Sequence, residues 1–283
     1  YNGALAGVSL GGTTYTYQNP LVNHGELHRW EWHSCPCCPP MLPKLYAALG
    51  EQIYAHTRHD IFVQQYIGSA ARIALETGEI ALTLQSALPW QGHAAITLEL
   101  AASQTFALRL RVPGWCPALG IRVNGEAHAP HIAQGYAVIE RAWQDGDRVE
   151  LEFAMPVLRM AAHPSVNQLL GHVALQRGPL VYCLEGVDNS AEPVLAPVPQ
   201  LQPEWQPALL GGMMALRGHA ADGSGFQAIP YFAWDNRPAA GAAQDWMAIW
   251  LKQGGNHALR HTLDGEDRAG WEHALYRALP EDA

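Results

Sequence analysis

A change of period at Asp60 limits the fold more than any other feature of the sequence. Beyond it, "DIFVQQYIGSAARIAL", "EIALTLQSALPW", "AAITLELA" and "TFALRLRVPGW" are short runs, several alternating apolar with polar residues. That is the repeat of a half-buried strand. "IRVNGEAH" carries an Asn-Gly pair, a strong hairpin signal. "YAVIERAWQDGDRVELEFAM" reads as strand, Gly-Asp turn and strand. No βαβ rhythm appears, so the pattern predicts an antiparallel β-sandwich. A second β region begins at Pro156, with "HVALQRGPLVYCLEG" broken at Gly178 and Pro179. "FQAIPYFAWDNR" and "DWMAIWLKQ" read as its closing strands, and a short helix is expected near "GWEHALYRAL". Residues 188–228 are rich in Pro, Ala and Gly and carry no clear period, and no internal repeat is present.

The 283 residues, 48% hydrophobic and 15% charged, suffice for globular domains with real cores. Seventeen Lys and Arg stand against 26 Asp and Glu, a net charge of −9 that argues against a nucleic-acid partner. No apolar run is long enough to span a bilayer, and no signal peptide is visible. "YNGALAGVSLGG" does not read as a native start, so any targeting segment is expected upstream of Tyr1.

Residues 1–38 are loop-rich, and "PPMLPKLYAALGEQIYAHT" then predicts a helix. Pro40 suits its first turn, and Leu42, Leu45, Leu49 and Ile53 share one face. Just ahead lies "HSCPCCPP", with three of the five cysteines. Neighbouring cysteines are poor disulfide partners, since the short ring is strained. Three readings stay open. Thiolates suit zinc, with His24, His28, Glu31 and His33 as local co-ligands, although none has zinc-finger spacing. A thiol at Cys38, just before a helix in a proline-stiffened loop, suits a nucleophile. A buried turn of inert thiols is the third. Cys116 and Cys183 read as small core hydrophobes.

"WEWHSCPCCPPMLPKLYAALGEQIYA" resembles the signature of glycoside hydrolase family 127, the β-L-arabinofuranosidase-like proteins. "YNGALAGVSLGG" and "YQNPL" precede it as in that family. "RVPGW", "VNGE", "GYAVIERAWQDGDRVEL", "QRGPLVYCLEG" and "IPYFAWDNR" follow in the family's order. The resemblance implies a mainly β chain: the end of an (α/α)6 catalytic barrel over residues 1–58, a β-sandwich over 59–155, and a second sandwich with a tail over 156–283. It implies Cys37 as a nucleophile that forms a thioglycosyl intermediate and releases the sugar with retained configuration. It also implies zinc held by Cys37 and Cys38, with a Glu and a Cys from an upstream segment completing the site and a further upstream Glu as general acid/base. No Glu-x-Cys precedes the motif here, so the chain by itself is expected to be inactive. Met41 stands where the family has Asn.

The substrate class so implied is plant-wall β-L-arabinofuranosides, with a homodimer through the last sandwich. Zinc-bound free thiols favour a reducing, cytoplasmic setting. Trp30 and Trp32 flank the cysteines and are candidate sugar contacts; Cys35 is a spare thiol nearby. Trp115, Trp143, Trp234 and Trp250 lie in strand-like runs and read as core. A thiol oxidoreductase would need Cys-x-x-Cys in a βαβ setting, and neither is present. The non-enzymatic alternative is a β-sandwich module for carbohydrate binding or oligomerisation.

Overall fold

A computed structural model describes residues 1–196, 199–254, 271 and 274–279. The chain is mainly β and divides into two compact units, Pro40–Met155 and a discontinuous one made of Tyr1–Pro39 with Pro156–Ala283.

The continuous unit opens with the expected helix, Met41–Ala48, which has Pro40 at its N-cap position and is followed by a 3-10 turn at Leu49–Gln52. It is shorter than its apolar spacing predicts, because the turn tightens at Leu49 and Gly50 follows. No residue of the helix is buried; Ile53, just past it, is.

Two sheets follow. One orders His131–Ala133, Tyr136–Trp143, Gln104–Arg111, Asp60–Val63 and Tyr54–His56. The other orders Ser69–Leu75, Gly78–Ser86, His93–Leu100, Arg148–Phe153, Leu119–Val123 and Glu126–Ala127. Alternation decides which side chains go inward. In Gly78–Ser86 the buried residues are Ile80, Leu82 and Leu84, and they meet Ile61, Leu108 and Ile139 of the other sheet in one core. Trp143 is fully buried, its indole N–H donating to the Phe106 carbonyl at 3.1 Å.

The Asn-Gly hairpin forms as expected: Asn124 and Gly125 both take positive φ, at 53° and 83°. One detail differs from the sequence reading: Asp60–Val63 pairs with Gln104–Arg111 in parallel, since the chain visits the other sheet between them. The strand, Gly-Asp turn and strand form as read, at Tyr136–Trp143 and Arg148–Phe153, and the turn carries the chain from one sheet to the other.

The discontinuous unit holds a ten-stranded sheet among the described residues. Its main path runs Leu201–Gln206, Met213–His219, Gly225–Pro230, Leu180–Glu185, His172–Arg177, Val157–Ala162 and Tyr276–Ala278. Gly178, at φ 55°, turns the hairpin between the fourth and fifth of these. The strand Tyr276–Ala278 stands where a helix was expected, because it pairs with the edge at Met160, Ala161 and Ala162. "AWDNR" is likewise not strand: a 3-10 turn at Tyr231–Ala233 ends the run. "DWMAIWLKQ" becomes two short strands, Met247–Ala248 and Trp250–Lys252.

The first 39 residues are stitched to this sheet. Val22–Asn23 pairs with Met247–Ala248, and the Asn2 amide brackets the Pro179 carbonyl and the Val181 N–H. The Leu10 N–H donates to Asn236, and the Tyr231 hydroxyl to the Pro20 carbonyl.

Candidate functional site

The cysteine loop owes its placement to a chain of charges that starts in the sheet core. Glu185 ends the strand Leu180–Glu185 with its side chain 8% exposed. One carboxylate oxygen accepts the Asp235 N–H at 2.7 Å, and the other accepts from Arg237 at 2.7 Å. Arg237 also grips Asp188 with two nitrogens, at 2.8 and 2.6 Å. Asp235 in turn accepts the Arg29 N–H at 2.7 Å and meets the His28 ring at 2.9 Å. The Arg29 side chain, 1% exposed, lies over the Trp234 ring and donates to the carbonyls of Trp234 and Ala6.

Burial and pairing set the protonation of these groups. Burial raises the Glu185 pKa and lowers that of Arg29. Burial also works against the charge of Arg237, yet Asp188 and Glu185 raise its pKa overall. The His28 pKa rises, chiefly through the hydrogen bond to Asp235, with Asp245 3.3 Å from its other nitrogen.

A few residues on, aromatic rings gather beneath the thiols. Tyr15, Tyr17 and Trp30 meet edge to face, and His33 packs on Tyr17 and Trp30 with centroids 5.0 and 4.8 Å away. The His33 Nδ1 accepts the Cys35 N–H at 3.2 Å, and the Tyr17 hydroxyl donates to the Cys35 carbonyl. Two side chains therefore hold the backbone at the first cysteine.

The three thiols of the loop are exposed, not an inert buried turn. Cys37 is their shared neighbour, with its sulfur 3.5 Å from that of Cys35 and 3.4 Å from that of Cys38. Two sulfurs of a tetrahedral zinc, each about 2.3 Å from the metal, lie about 3.8 Å apart. The Cys37–Cys38 pair therefore needs only a small opening to share one ion. Among the described residues no group of three or more His, Cys, Asp or Glu is arranged to hold a metal.

The local co-ligand candidates are separated from one another. His28 is engaged by Asp235 and Asp245, and His33 by the Cys35 backbone and the rings. His24 and Glu31 are exposed. Trp32 is 72% exposed beside the loop, whereas Trp30 belongs to the ring cluster. Trp143 and Trp234 are core, and Trp115 packs partly buried against Phe153. Cys183 is fully buried, which raises its thiol pKa well above the usual range; Cys116 is half-buried.

The charge chain through Glu185, Asp235 and Arg237 escaped the sequence reading. Its only trace there is "WDNR", with no periodicity to mark it.

Three family models match the chain in order. They are "Beta-L-arabinofuranosidase, GH127 catalytic domain" over residues 1–51, "Beta-L-arabinofuranosidase, GH127 middle domain" over 60–155, and "Glycoside hydrolase family 127 C-terminal domain" over 157–252. The chain is 30% identical, over 285 aligned residues, to a non-reducing end β-L-arabinofuranosidase of Bifidobacterium longum subsp. longum, covering 84% of itself and 42% of that protein. A crystal structure of a GH127 β-L-arabinofuranosidase from Geobacillus stearothermophilus T6 superposes with TM-score 0.83 at 36% identity, over 90% of this chain and 45% of that one. A second solved structure, of a GH127 β-arabinofuranosidase, gives 0.81 at 29% identity over 90% and 44%. The chain thus spans less than half the length of these relatives.

Proposed function

The chain belongs to glycoside hydrolase family 127, and from that premise we propose that it is part of a retaining glycosidase acting on β-L-arabinofuranosides, with Cys37 as nucleophile. The observation that carries the reading is the pair of exposed thiols at Cys37 and Cys38, 3.4 Å apart within the stretch matched by the catalytic-domain model.

In this proposal the Cys37 thiolate attacks the anomeric carbon. A C–S bond forms as the glycosidic C–O bond breaks, and the leaving oxygen takes a proton from a carboxylic acid outside this chain. Water then attacks the same carbon, the C–S bond breaks, and its proton returns to that carboxylate. Two inversions give retention, with sulfur in place of the usual carboxylate nucleophile. Zinc held by Cys37 and Cys38 would keep the nucleophile deprotonated at neutral pH. His33 and Tyr17 would fix the loop backbone at Cys35, and Trp32, exposed beside the thiols, is the side chain best placed to meet a sugar ring.

Residues 1–58 fit the end of an (α/α)6 barrel. Their apolar side chains support this, since Leu10, Leu21, Val22, Trp32, Met41 and Leu45 are all exposed. A barrel packed on these residues would cover such surface and supply the missing zinc ligands and the acid. The five unpaired cysteines agree with a reducing, cytoplasmic setting, and the family reading carries with it a homodimer through the last sandwich.

The test uses the chain extended by its upstream coding sequence and an aryl β-L-arabinofuranoside. The expected result is hydrolysis with retention, about one zinc per chain, and a fall in kcat/KM of about a thousandfold or more in Cys37→Ser. The 283-residue chain alone should show no turnover. Turnover by that chain, or full activity in Cys37→Ser, would refute the assignment. Absence of both zinc and turnover in the extended chain would favour a binding module instead.

A further inference from the structure

A cavity of about 490 Å³ lies away from the cysteine loop, on the strands Leu201–Gln206, Met213–His219 and Gly225–Pro230. Gln202, Arg217 and Gln227 stand in one row across the three strands, and His219 faces Gly225 two register positions further along. All five line the cavity, together with Asp188 from the turn after Glu185.

The lining exposes more apolar than polar surface, Phe226 included, and the charged side chains in it are engaged within the protein. Arg217 Nε lies 2.5 Å from Glu204, and Asp188 is gripped by two nitrogens of Arg237. Gln227 accepts from the Gln206 amide at 2.7 Å, which fixes its side chain and leaves its NH2 free to donate. Such a wall offers amide and guanidinium donors and amide acceptors, with its charged groups already engaged by partners in the protein. An ionic ligand would have to break one of these pairs, and an apolar ligand would strand the amides. The size falls within the usual range for small-molecule sites, roughly 300–1,000 Å³. A peptide added as a further strand is disfavoured, because Pro203 interrupts the row of N–H donors on Leu201–Gln206.

We propose that this cavity binds a neutral, hydroxyl-rich oligosaccharide, as a binding site separate from the cysteine loop. The choice of sugar over other neutral polyols rests on the glycosidase reading; the cavity and its paired charges do not. Gly225 lines the cavity, an added Cβ there would meet nothing within 4 Å, and its backbone is not left-handed, so Gly225→Tyr places bulk at the lining without backbone strain.

The experiment is calorimetric titration of this chain with a neutral pentamer of L-arabinofuranose, and with a galacturonic acid pentamer as the charged control. The expected result is saturable binding of the neutral pentamer, weakened about tenfold in Gln202→Ala and Arg217→Met, the loss of one good hydrogen bond, and abolished in Gly225→Tyr. Cys37→Ser should bind as the parent does. All four variants should keep the parent melting temperature, because the substituted residues are exposed. The proposal is overturned if the neutral pentamer does not bind, if the charged one binds equally well, or if the three cavity variants bind unchanged. Binding that vanishes in Cys37→Ser would also overturn it, by assigning the sugar to the thiol loop. Failure of the hydrolysis test leaves the titration result standing, so the two readings fail separately.

Discussion

Replacing Arg237 by Ala tests whether the buried charge chain holds the C-terminal sheet together. The guanidinium makes three short charge-assisted hydrogen bonds, one to Glu185 at 2.7 Å and two to Asp188 at 2.8 and 2.6 Å. Each such bond contributes up to about 1.5–3 kcal/mol, but they are not additive, and Arg237 and Asp188 are 21% and 15% exposed. Water can therefore solvate the Asp188 carboxylate after truncation, whereas Glu185, at 8%, stays stranded. Stranding one buried charge costs about 3–5 kcal/mol, and partial solvation places the expected loss near the lower end, about 3 kcal/mol. Hydrogen exchange reads this locally: amides of Leu180–Glu185 should exchange roughly a hundredfold faster, while those of His93–Leu100 in the other unit keep their rates. The loss should shrink as pH falls, because burial already raises the Glu185 pKa and the stranded carboxyl escapes by taking a proton. The double variant Glu185→Gln with Arg237→Met should cost less than Arg237→Ala alone. Unchanged exchange in Arg237→Ala, or an equal loss at pH 5 and pH 7, would refute the reasoning.

His28 provides a pH-dependent contribution nearby. Its folded pKa is raised by Asp235 and Asp245, so its stabilisation is full below the ordinary imidazole value, about 6.5, and is lost as pH rises through the higher folded value. His28→Gln should flatten the loss of protection at the Arg29 amide over that rise, as measured by exchange against pH. In the other unit, Leu98→Ala removes a fully buried side chain from the shared core and should cost about 2–5 kcal/mol in chemical unfolding.

Sheets were more legible in the sequence than the parts that position the site. Strands such as Gly78–Ser86 announce themselves because alternation follows directly from one buried face. The Asn-Gly hairpin is local chemistry and is equally readable. The strand, turn and strand after Gly135 are readable as well, but only packing decides that the second strand joins the opposite sheet. Tyr276–Ala278 takes its conformation from Val157–Ala162, more than a hundred residues earlier, so no local pattern marks it. The thiols stand out by composition, and their link to Glu185 and Asp235 does not. That link joins residues 206 and then 50 positions apart through hydrogen bonds to backbone groups, which any side chain could border.

The discontinuous unit has a consequence for the order of events on the ribosome. Cys37 and Cys38 are synthesised about two hundred residues ahead of Trp234, Asp235 and Met247, which hold the segment bearing them. At common elongation rates that interval is roughly 10–40 s. During it the intervening unit, Pro40–Met155, can complete both its sheets from its own residues, while the segment bearing the thiols has only its local ring cluster and no sheet to dock on. A chain released after Met155 would therefore carry complete sheets in that unit and an intact cysteine motif that neither Asp235 nor Trp234 holds. Premature termination should then cost the site its geometry before it costs the chain its solubility.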